Sequence, residues 1–506
     1  MASPPRGGFQ ARFASQPVLL IAFAFAIVGD PVSSVAYAIE AAVRALGGNL
    51  ALLLPTMVLV LGIIALVALN YHQLYARFPE GGGDAAASAA AFSEGMAFLP
   101  LASLIVDYAL TITISVAAGA SALIAYLPPL APMRVPLALA LVVLVAGLTW
   151  FGHGGRAIFA AMTISFALVG TIVILRGIGA SPLHPATLIL PSTAHRSAPL
   201  AVLLAFPVAM ALATGVEAPS SAIAQLAQLD DAGRLRCGRV TLWLMLAIVI
   251  WLTLGLTVLA VKLHVGLPPS DTTLIAEVAQ TAVGRGPLFA LFQLSSTVLL
   301  LAAASSSFQA GPGLLKALAR GGGGVGILPG RLARTNRHHT PYWGVAVFLA
   351  VSVGLVMAAG GQEQRLVLFY AVAVFIAFLC GLLSMTKFFW RDRTWGFFAV
   401  SFVGALAVAL TLVVNLTRGY PIVSLVAALG IAGILYTLWV RAGRPSGVSQ
   451  IGIMLPPHVC YGRPQACGPS SAGQSSCSMQ NQNRCAPAAK TMSATESGAG
   501  PGRPAA

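Results

Sequence analysis

The sequence predicts an all-α polytopic membrane protein of twelve spans, built as two five-span repeats of opposite sense with two further helices. Three observations predict it. First, 58% of the 506 residues are hydrophobic and only 8% are charged, whereas soluble chains carry about 25% charged residues. Second, apolar runs of roughly 20 residues, the length a bilayer demands, recur along residues 16–440. Third, two of those runs, five spans apart, are interrupted in the same way by a glycine, a carboxylate and a proline. The formal charge of +15 does not indicate a nucleic-acid partner, because the basic residues sit in short loops between apolar runs, as membrane topology requires.

Taken in order, the spans fall near 16–46 (broken), 50–71, 97–126, 134–151, 157–179, 198–226 (broken), 240–261, 287–310, 342–360, 365–387, 396–416 and 420–440. Residues 1–15 read as a cytoplasmic N-terminus, with no small-residue cleavage site behind a short apolar region. Residues 441–506, rich in Pro, Gly, Ser, Gln and Ala without apolar periodicity, read as a disordered cytoplasmic tail. Placing the N-terminus inside puts 21 of the 29 Lys and Arg residues on the inner side. Both termini are therefore expected in the cytoplasm of a bacterial plasma membrane. No pair among the six cysteines (237, 380 and four in the tail) has C-x-x-C spacing, so neither zinc nor a redox motif is expected.

The interruptions carry the chemistry. In span 1 the stretch Gly29-Asp30-Pro31-Val32-Ser33-Ser34 breaks an apolar run at mid-depth. In span 6 Gly215-Val216-Glu217-Ala218-Pro219-Ser220-Ser221 does the same. Irregular backbone is tolerated at membrane depth only where it faces protein or a cavity. Paired interruptions in two halves point to a central binding site. With five spans per repeat, the second copy crosses the membrane in the opposite direction. Of the 14 acids, only Asp30, Glu40, Asp107 and Glu217 lie well inside spans. Glu40, near the outer end of its span, reads equally as a structural residue (a helix cap or snorkelling end) and as part of a functional site. The other three have no basic residue at similar depth, and an ionisable residue in the membrane is by default a functional-site hypothesis. In span 3, Asp107, Thr111, Ser115 and Gly119 share one helix face by their i, i+4 spacing; such a stripe can pack against another helix, but the carboxylate at its head favours a cavity lining.

Free carbonyls at a helix break, hydroxyls and carboxylates form an all-oxygen environment suited to hard cations and protons. His72, His153, His184, His195, His264, His338 and His339 sit at span ends or in loops and add no soft-metal site. A substrate carboxylate would meet Asp30, Asp107 and Glu217 in place of amide donors. Three neighbouring carboxylates cannot all stay ionised, so one holds a proton unless a cation is present. That makes cation entry and proton release alternatives at one cluster.

At these residues the chain resembles the amino acid–polyamine–organocation (APC) superfamily, and within it the branch of bacterial high-affinity, proton-coupled potassium importers. The first-helix signature D-A-L-S-S-V-A-Y-G appears as residues 30–38, with Pro31 for Ala and Ala38 for Gly. A cytoplasmic P-x-G-G-G element is Pro79–Gly83. The third-helix pattern is Asp107-Tyr108-Thr111-Ser115, and T-G-V-E-A is Thr214–Ala218. Ala304–Phe308 stands where the family has A-N-T-S-F, with Ser305 or Ser306 for Asn. The resemblance covers roughly residues 15–440 and implies a LeuT-type fold. It also implies that Asp30, Tyr37, Asp107, Thr111, Ser115, Thr214 and Tyr370 line a potassium path, with Glu217, Asp30 and Asp107 as candidates for proton coupling. Gly29, Pro31, Gly215 and Pro219 are expected at the helix breaks. The importers of that branch carry a folded cytosolic domain after the last helix, and the tail here has no such composition.

The expected function is proton-coupled potassium uptake by alternating access, with an amino acid or polyamine permease of the same fold as the alternative. A non-transporting sensor is disfavoured by the paired breaks. An enzyme is disfavoured by the lack of H-E-x-x-H, G-x-S-x-G and P-loop patterns. The expected surroundings are a lipid bilayer and a small cation or amino acid. No nucleic acid, resident metal or cofactor is expected beyond the proton gradient as driving force, and assembly is open between monomer and homodimer.

Overall fold

The computed structural model describes residues 17–152, 156–182, 197–222, 230–269, 271–321 and 326–445. The expectations for residues 1–15, for the tail beyond 445 with its four cysteines, for His153, His184 and His195, and for the end of span 6 at 223–226 lie outside the described residues. Twelve helical segments are long and apolar enough to cross a membrane, and the chain is a multi-pass membrane protein.

Span 1 comprises α1 (Pro17–Ser33) and α2 (Val35–Ala45), and span 2 is α3 (Leu53–Arg77). The short α4 (Gly83–Ala91) precedes span 3, α5 (Phe98–Tyr126). Spans 4 and 5 are α6 (Arg134–Trp150) and α7 (Arg156–Ile178). Span 6 is split into α8 (Ala198–Ala209) and α9 (Ala218–Ala222). Span 7 is α10 (Asp231–Lys262); it is followed by α11 (Leu274–Val283), a ten-residue helix between spans. Spans 8 to 12 are α12 (Pro287–Arg320), α13 (Tyr342–Ala359), α14 (Glu363–Arg391), α15 (Trp395–Leu416) and α16 (Ile422–Arg441).

The sequence expectation differs at span 7, which begins at Asp231 and not near 240. Asp230 caps it, its carboxylate accepting from Gly233 N at 2.9 Å. Cys237, expected in a loop, therefore lies on the helix. Span 8 likewise runs on to Arg320. In both cases the polar, basic end of the helix emerges beyond the apolar run that hydropathy detects.

The two-repeat architecture is visible in which helices touch. Span 2 packs on span 7, span 3 on span 8 and span 4 on span 9, while α2 packs on α8 and α1 on α9. Equivalent members of two inverted repeats meet in this way when a pseudo-two-fold axis lies in the membrane plane between them. Span 3 is the central rod, buried along most of its length and packed also against spans 10 and 12. Its inner face is rich in Ala, Ser, Thr and Gly, small residues that let helices approach closely where lipid supplies no hydrophobic drive.

Candidate functional site

The break in span 6 is a true interruption. After α8 the chain tightens into a 3₁₀ turn at Met210–Ala213. It then leaves the helix at Thr214 (ψ 130°) and turns at Gly215 with φ +75°, a left-handed conformation that favours glycine. Helix resumes at Ala218, and Pro219 sits in the first turn of α9, where its missing N–H goes unneeded.

Span 1 departs from expectation. The helix runs unbroken through Gly29, Asp30 and Pro31, and the interruption is the single residue Ser34, which itself stays near helical geometry (φ −66°, ψ −23°). The reason lies in the two serines. Ser33 Oγ donates to Asp30 O at 2.7 Å and Ser34 Oγ to Pro31 O at 2.6 Å, so the carbonyls of Asp30 and Pro31 are satisfied by hydroxyls and the backbone can step out of register at Ser34. Gly29 has a different role from breaking the helix. A Cβ at that position would come within 2.5 Å of Thr163 Oγ1, so the glycine permits close approach of span 1 to span 5. Pro219 likewise opens a half-helix and does not break one.

The two interruptions meet. A Cβ on Gly215 would lie 3.1 Å from Asp30 Cγ and from Pro31 Cδ and N, so the turn of span 6 rests directly on Asp30–Pro31. Ser34 Oγ reaches across to Leu212 O at 3.0 Å, and Tyr37 OH to Thr214 Oγ1 at 3.4 Å. From span 10, Tyr370 OH donates to Asp107 Oδ1. Contacts thus tie Asp30 and Tyr37 of span 1 to Thr214 and Gly215 of span 6, and a hydrogen bond ties Asp107 of span 3 to Tyr370 of span 10.

Several oxygens here lack partners. Asp30 Oδ1, Thr111 Oγ1, Ser115 Oγ and Glu217 Oε2 are buried without a hydrogen-bond partner. A buried polar atom in that state costs about 1–3 kcal/mol unless something satisfies it. Asp107 and Glu217, 3% and 8% exposed, line a crevice too narrow to admit a water molecule, together with Ser103, Leu104, Ala373, Val374, Ala377 and Phe378. Charge on Asp107 acts on both Asp30 and Glu217. No ion pair among the described residues involves these three acids. Nor do any three His, Cys, Asp or Glu side chains among the described residues come close enough to hold a metal ion. Gly119, the last member of the span 3 stripe, faces Leu141, Leu300 and Leu301 at 3.9 Å; the stripe turns from polar lining to helix packing at that level. A larger surface cleft of about 470 Å³, lined by Ala41, Arg44, Gln364, Leu368 and Tyr420 among others, includes none of the span acids.

Three further carboxylates are buried: Glu40, for which a cap was one of the expected roles, and Glu363 and Asp84, which sequence reasoning passed over. Glu40 caps α11: its carboxylate accepts from Leu274 N at 3.0 Å and from Arg44 Nε at 2.8 Å. Glu363 accepts from Ser121 Oγ at 2.6 Å and lies 3.8 Å from the Arg134 guanidinium. Asp84 is buried beside Tyr71, whose hydroxyl donates to it at 2.7 Å. The last two look like loop acids in the sequence, because each stands at the first turn of a helix next to polar residues. The available signal for Asp84 is its place directly behind the Gly81–Gly83 run.

Comparison with known proteins adds the following. The family model described as "Amino acid permease" matches residues 20–446. The chain is 30% identical over 363 residues to the potassium transporter KimA of Bacillus subtilis; the match covers 69% of this chain and 58% of that protein, so this chain spans less than two thirds of its relative's length. Among solved structures, the manganese transporter of Eremococcus coleocola, in complex with an aromatic bis-isothiourea substituted compound, aligns at 15% identity. That alignment covers 90% of this chain and 97% of the other, with a TM-score of 0.46. Two mutant forms of that transporter score 0.43.

Proposed function

The chain belongs to the amino acid permease family, and on that footing we propose that it imports potassium across a bacterial plasma membrane, coupled to proton entry, with both termini cytoplasmic. The observation that carries this reading is the set of buried, unpartnered oxygens: Asp30 Oδ1, Thr111 Oγ1, Ser115 Oγ and Glu217 Oε2. A potassium ion shedding its water needs neutral and anionic oxygens held at a spacing the protein dictates. The hydroxyls of Tyr37, Thr214 and Tyr370 complete such a shell around Asp30 and Asp107. Two carboxylates with several hydroxyls, and no chelating triple, favour a monovalent ion over a tightly held divalent one. That the relative KimA bears the name of a potassium transporter supports the same reading.

Coupling follows from like charges. Asp30, Asp107 and Glu217 repel one another when ionised, so a proton on Glu217 relieves the repulsion while Asp30 and Asp107 hold the cation, and the two are carried inward together and released on the inner side. Glu217 is the proposed proton carrier, since it stands at the second break and leaves the shell around Asp30 intact. Alternating access then requires the halves of spans 1 and 6 to rock against spans 3 and 8 about the Ser34 and Gly215 breaks.

An amino acid or polyamine permease is the alternative, favoured by the description of the family model. Against an amino acid stands the backbone of the span 6 break. The amides of Val216, Ala218 and Ser220 are taken up by the carbonyls of Ala213, Gly215 and Glu217, so they are not offered to a substrate carboxylate. The decisive experiment is rubidium uptake by purified protein in liposomes, with and without an inward proton gradient, beside labelled amino acids and polyamines. Gradient-driven rubidium uptake that falls at least tenfold in Asp30→Asn and in Asp107→Asn, with both variants inserted, is the expected result. Uptake of an amino acid or a polyamine without rubidium flux would overturn the substrate assignment.

A further inference from the structure

One buried carboxylate has no part in the cation shell. Asp84 opens α4, on the side of the membrane where span 1 begins and span 2 ends, and it is 7% exposed. Tyr71 OH donates to its Oδ2, while Oδ1 has no partner. That oxygen lies against Gly381 of span 10, where a Cβ would come within 2.1 Å of it, so the carboxylate occupies a cradle only glycine leaves open. The hydroxyl of Tyr75, 2% exposed, is also without a partner.

Asp84 adjoins the central site through its own neighbour. A Cβ on Gly83 would lie 2.8 Å from Ser220 Oγ, placing the start of α4 on α9, one turn beyond Glu217. The charges of Asp84 and Glu217 both act on Tyr71 and Tyr75, and that of Asp84 acts on Glu217. The titratable groups facing Asp84 are therefore Tyr71 and Tyr75 from span 2, Glu217 from the span 6 break and Cys380 from span 10; none of them is cationic. Burial pushes Asp84 up to about 7, against the opposing pull of the Tyr71 hydrogen bond.

We propose that Asp84 is a second proton station, passing protons between Glu217 and the aqueous phase on the N-terminal side, outside the path of the carried cation. This rests on the reading of Glu217 as the proton carrier. In the transfer, the O–H bond on Glu217 breaks and its electron pair stays on that carboxylate. A new O–H bond forms on Asp84, directly or over one water held by the Tyr75 hydroxyl. Asp84 then releases the proton to bulk water and returns to the carboxylate.

The test uses the full-length protein in liposomes with Asp84→Asn, whose amide oxygen still accepts from Tyr71. Two fluxes are compared: rubidium uptake driven by an inward proton gradient, and rubidium–rubidium exchange at equal pH on both sides, which needs no net proton movement. Asp84→Asn should lose gradient-driven uptake at least tenfold while exchange stays within about twofold of the parent. Retained gradient-driven uptake, or equal loss of both fluxes, overturns the proposal. Infrared spectroscopy gives a readout that needs no substrate. The protonated-carboxyl absorbance that titrates near neutral pH should lose one component in Asp84→Asn, and that component should shift its midpoint upward in Tyr71→Phe; a titration unchanged in Asp84→Asn also overturns the proposal. If the parent protein moves no rubidium in either mode, the potassium assignment fails and the infrared result alone decides the role of Asp84.

Discussion

At Gly215 the chain adopts φ +75° with its Cα pressed on Asp30 and Pro31. Both facts forbid a side chain. Left-handed backbone costs a non-glycine residue roughly 1–2 kcal/mol, and a methyl group 3.1 Å from Asp30 Cγ and Pro31 would also push the two breaks apart. Gly215→Ala should therefore lower the unfolding midpoint of the detergent-solubilised protein and reduce rubidium uptake at least tenfold. A variant with parental melting and uptake would show that the breaks do not need this contact. Single residues were legible in the sequence where their presence was costly. Asp30, Asp107 and Glu217 stand out because a carboxylate in an apolar run demands a reason, and Thr111 and Ser115 follow by helical spacing. Tyr37, Thr214 and Tyr370 have no such mark, since a tyrosine or threonine in a membrane helix costs little, and only the family resemblance singled them out. Asp84 escaped because a glycine-rich loop reads as solvated, although the fold buries it.

At the level of elements, the sequence located both interruptions but not their form. Gly and Pro signalled breaks in both spans, yet a proline deletes only one donor and a glycine in a packed bundle also serves as a contact point. In span 1 the hydroxyls of Ser33 and Ser34 decided where the helix yields, and no periodicity reports that. The helix α11 was not legible at all, being too short to register as a span. It docks through Glu40, which caps Leu274 N, while its own N-cap Thr273 accepts from Ala276 N at 3.3 Å. Glu277 on the same helix is pushed to about 7, mainly by burial and further by Glu40 and Asp271. An acid raised in the docked state binds its proton more tightly there than when released. Docking is therefore strongest below the ordinary glutamate range and weakens as pH rises through about 7. Hydrogen-exchange protection of residues 274–283, corrected for intrinsic rates, should fall between pH 5 and pH 8 and be flat in Glu277→Gln. A flat profile in the parent protein would remove this dependence.

For the whole molecule, the contacts of span 2 with 7, 3 with 8 and 4 with 9 place the two breaks at the centre of a pseudo-symmetric pair, so the central site is shared by helices from both repeats. Spans 1 and 6 contribute Asp30, Tyr37 and Thr214; spans 3 and 10 contribute Asp107 and Tyr370, joined by a hydrogen bond. A ligand bound there links elements distant in the chain, and any ligand that binds only the folded protein stabilises it by mass action, by about 2.7 kcal/mol at a hundredfold excess over its dissociation constant. Asp30 Oδ1, Thr111 Oγ1, Ser115 Oγ and Glu217 Oε2 are buried without partners, so on the proposed reading a cation that satisfies them should stabilise the fold. Potassium, against an equal concentration of a large organic cation, should raise the melting midpoint of the purified protein by a few degrees, with rubidium close behind and sodium weaker. The increment should disappear in Asp30→Asn, which replaces a negative oxygen by a neutral amide of the same shape, while the melting of that variant without potassium should match or exceed the parent because a repelling charge is gone. An increment that persists in Asp30→Asn would place the ion elsewhere than between the two breaks, and with it the pivot on which inward and outward opening turn.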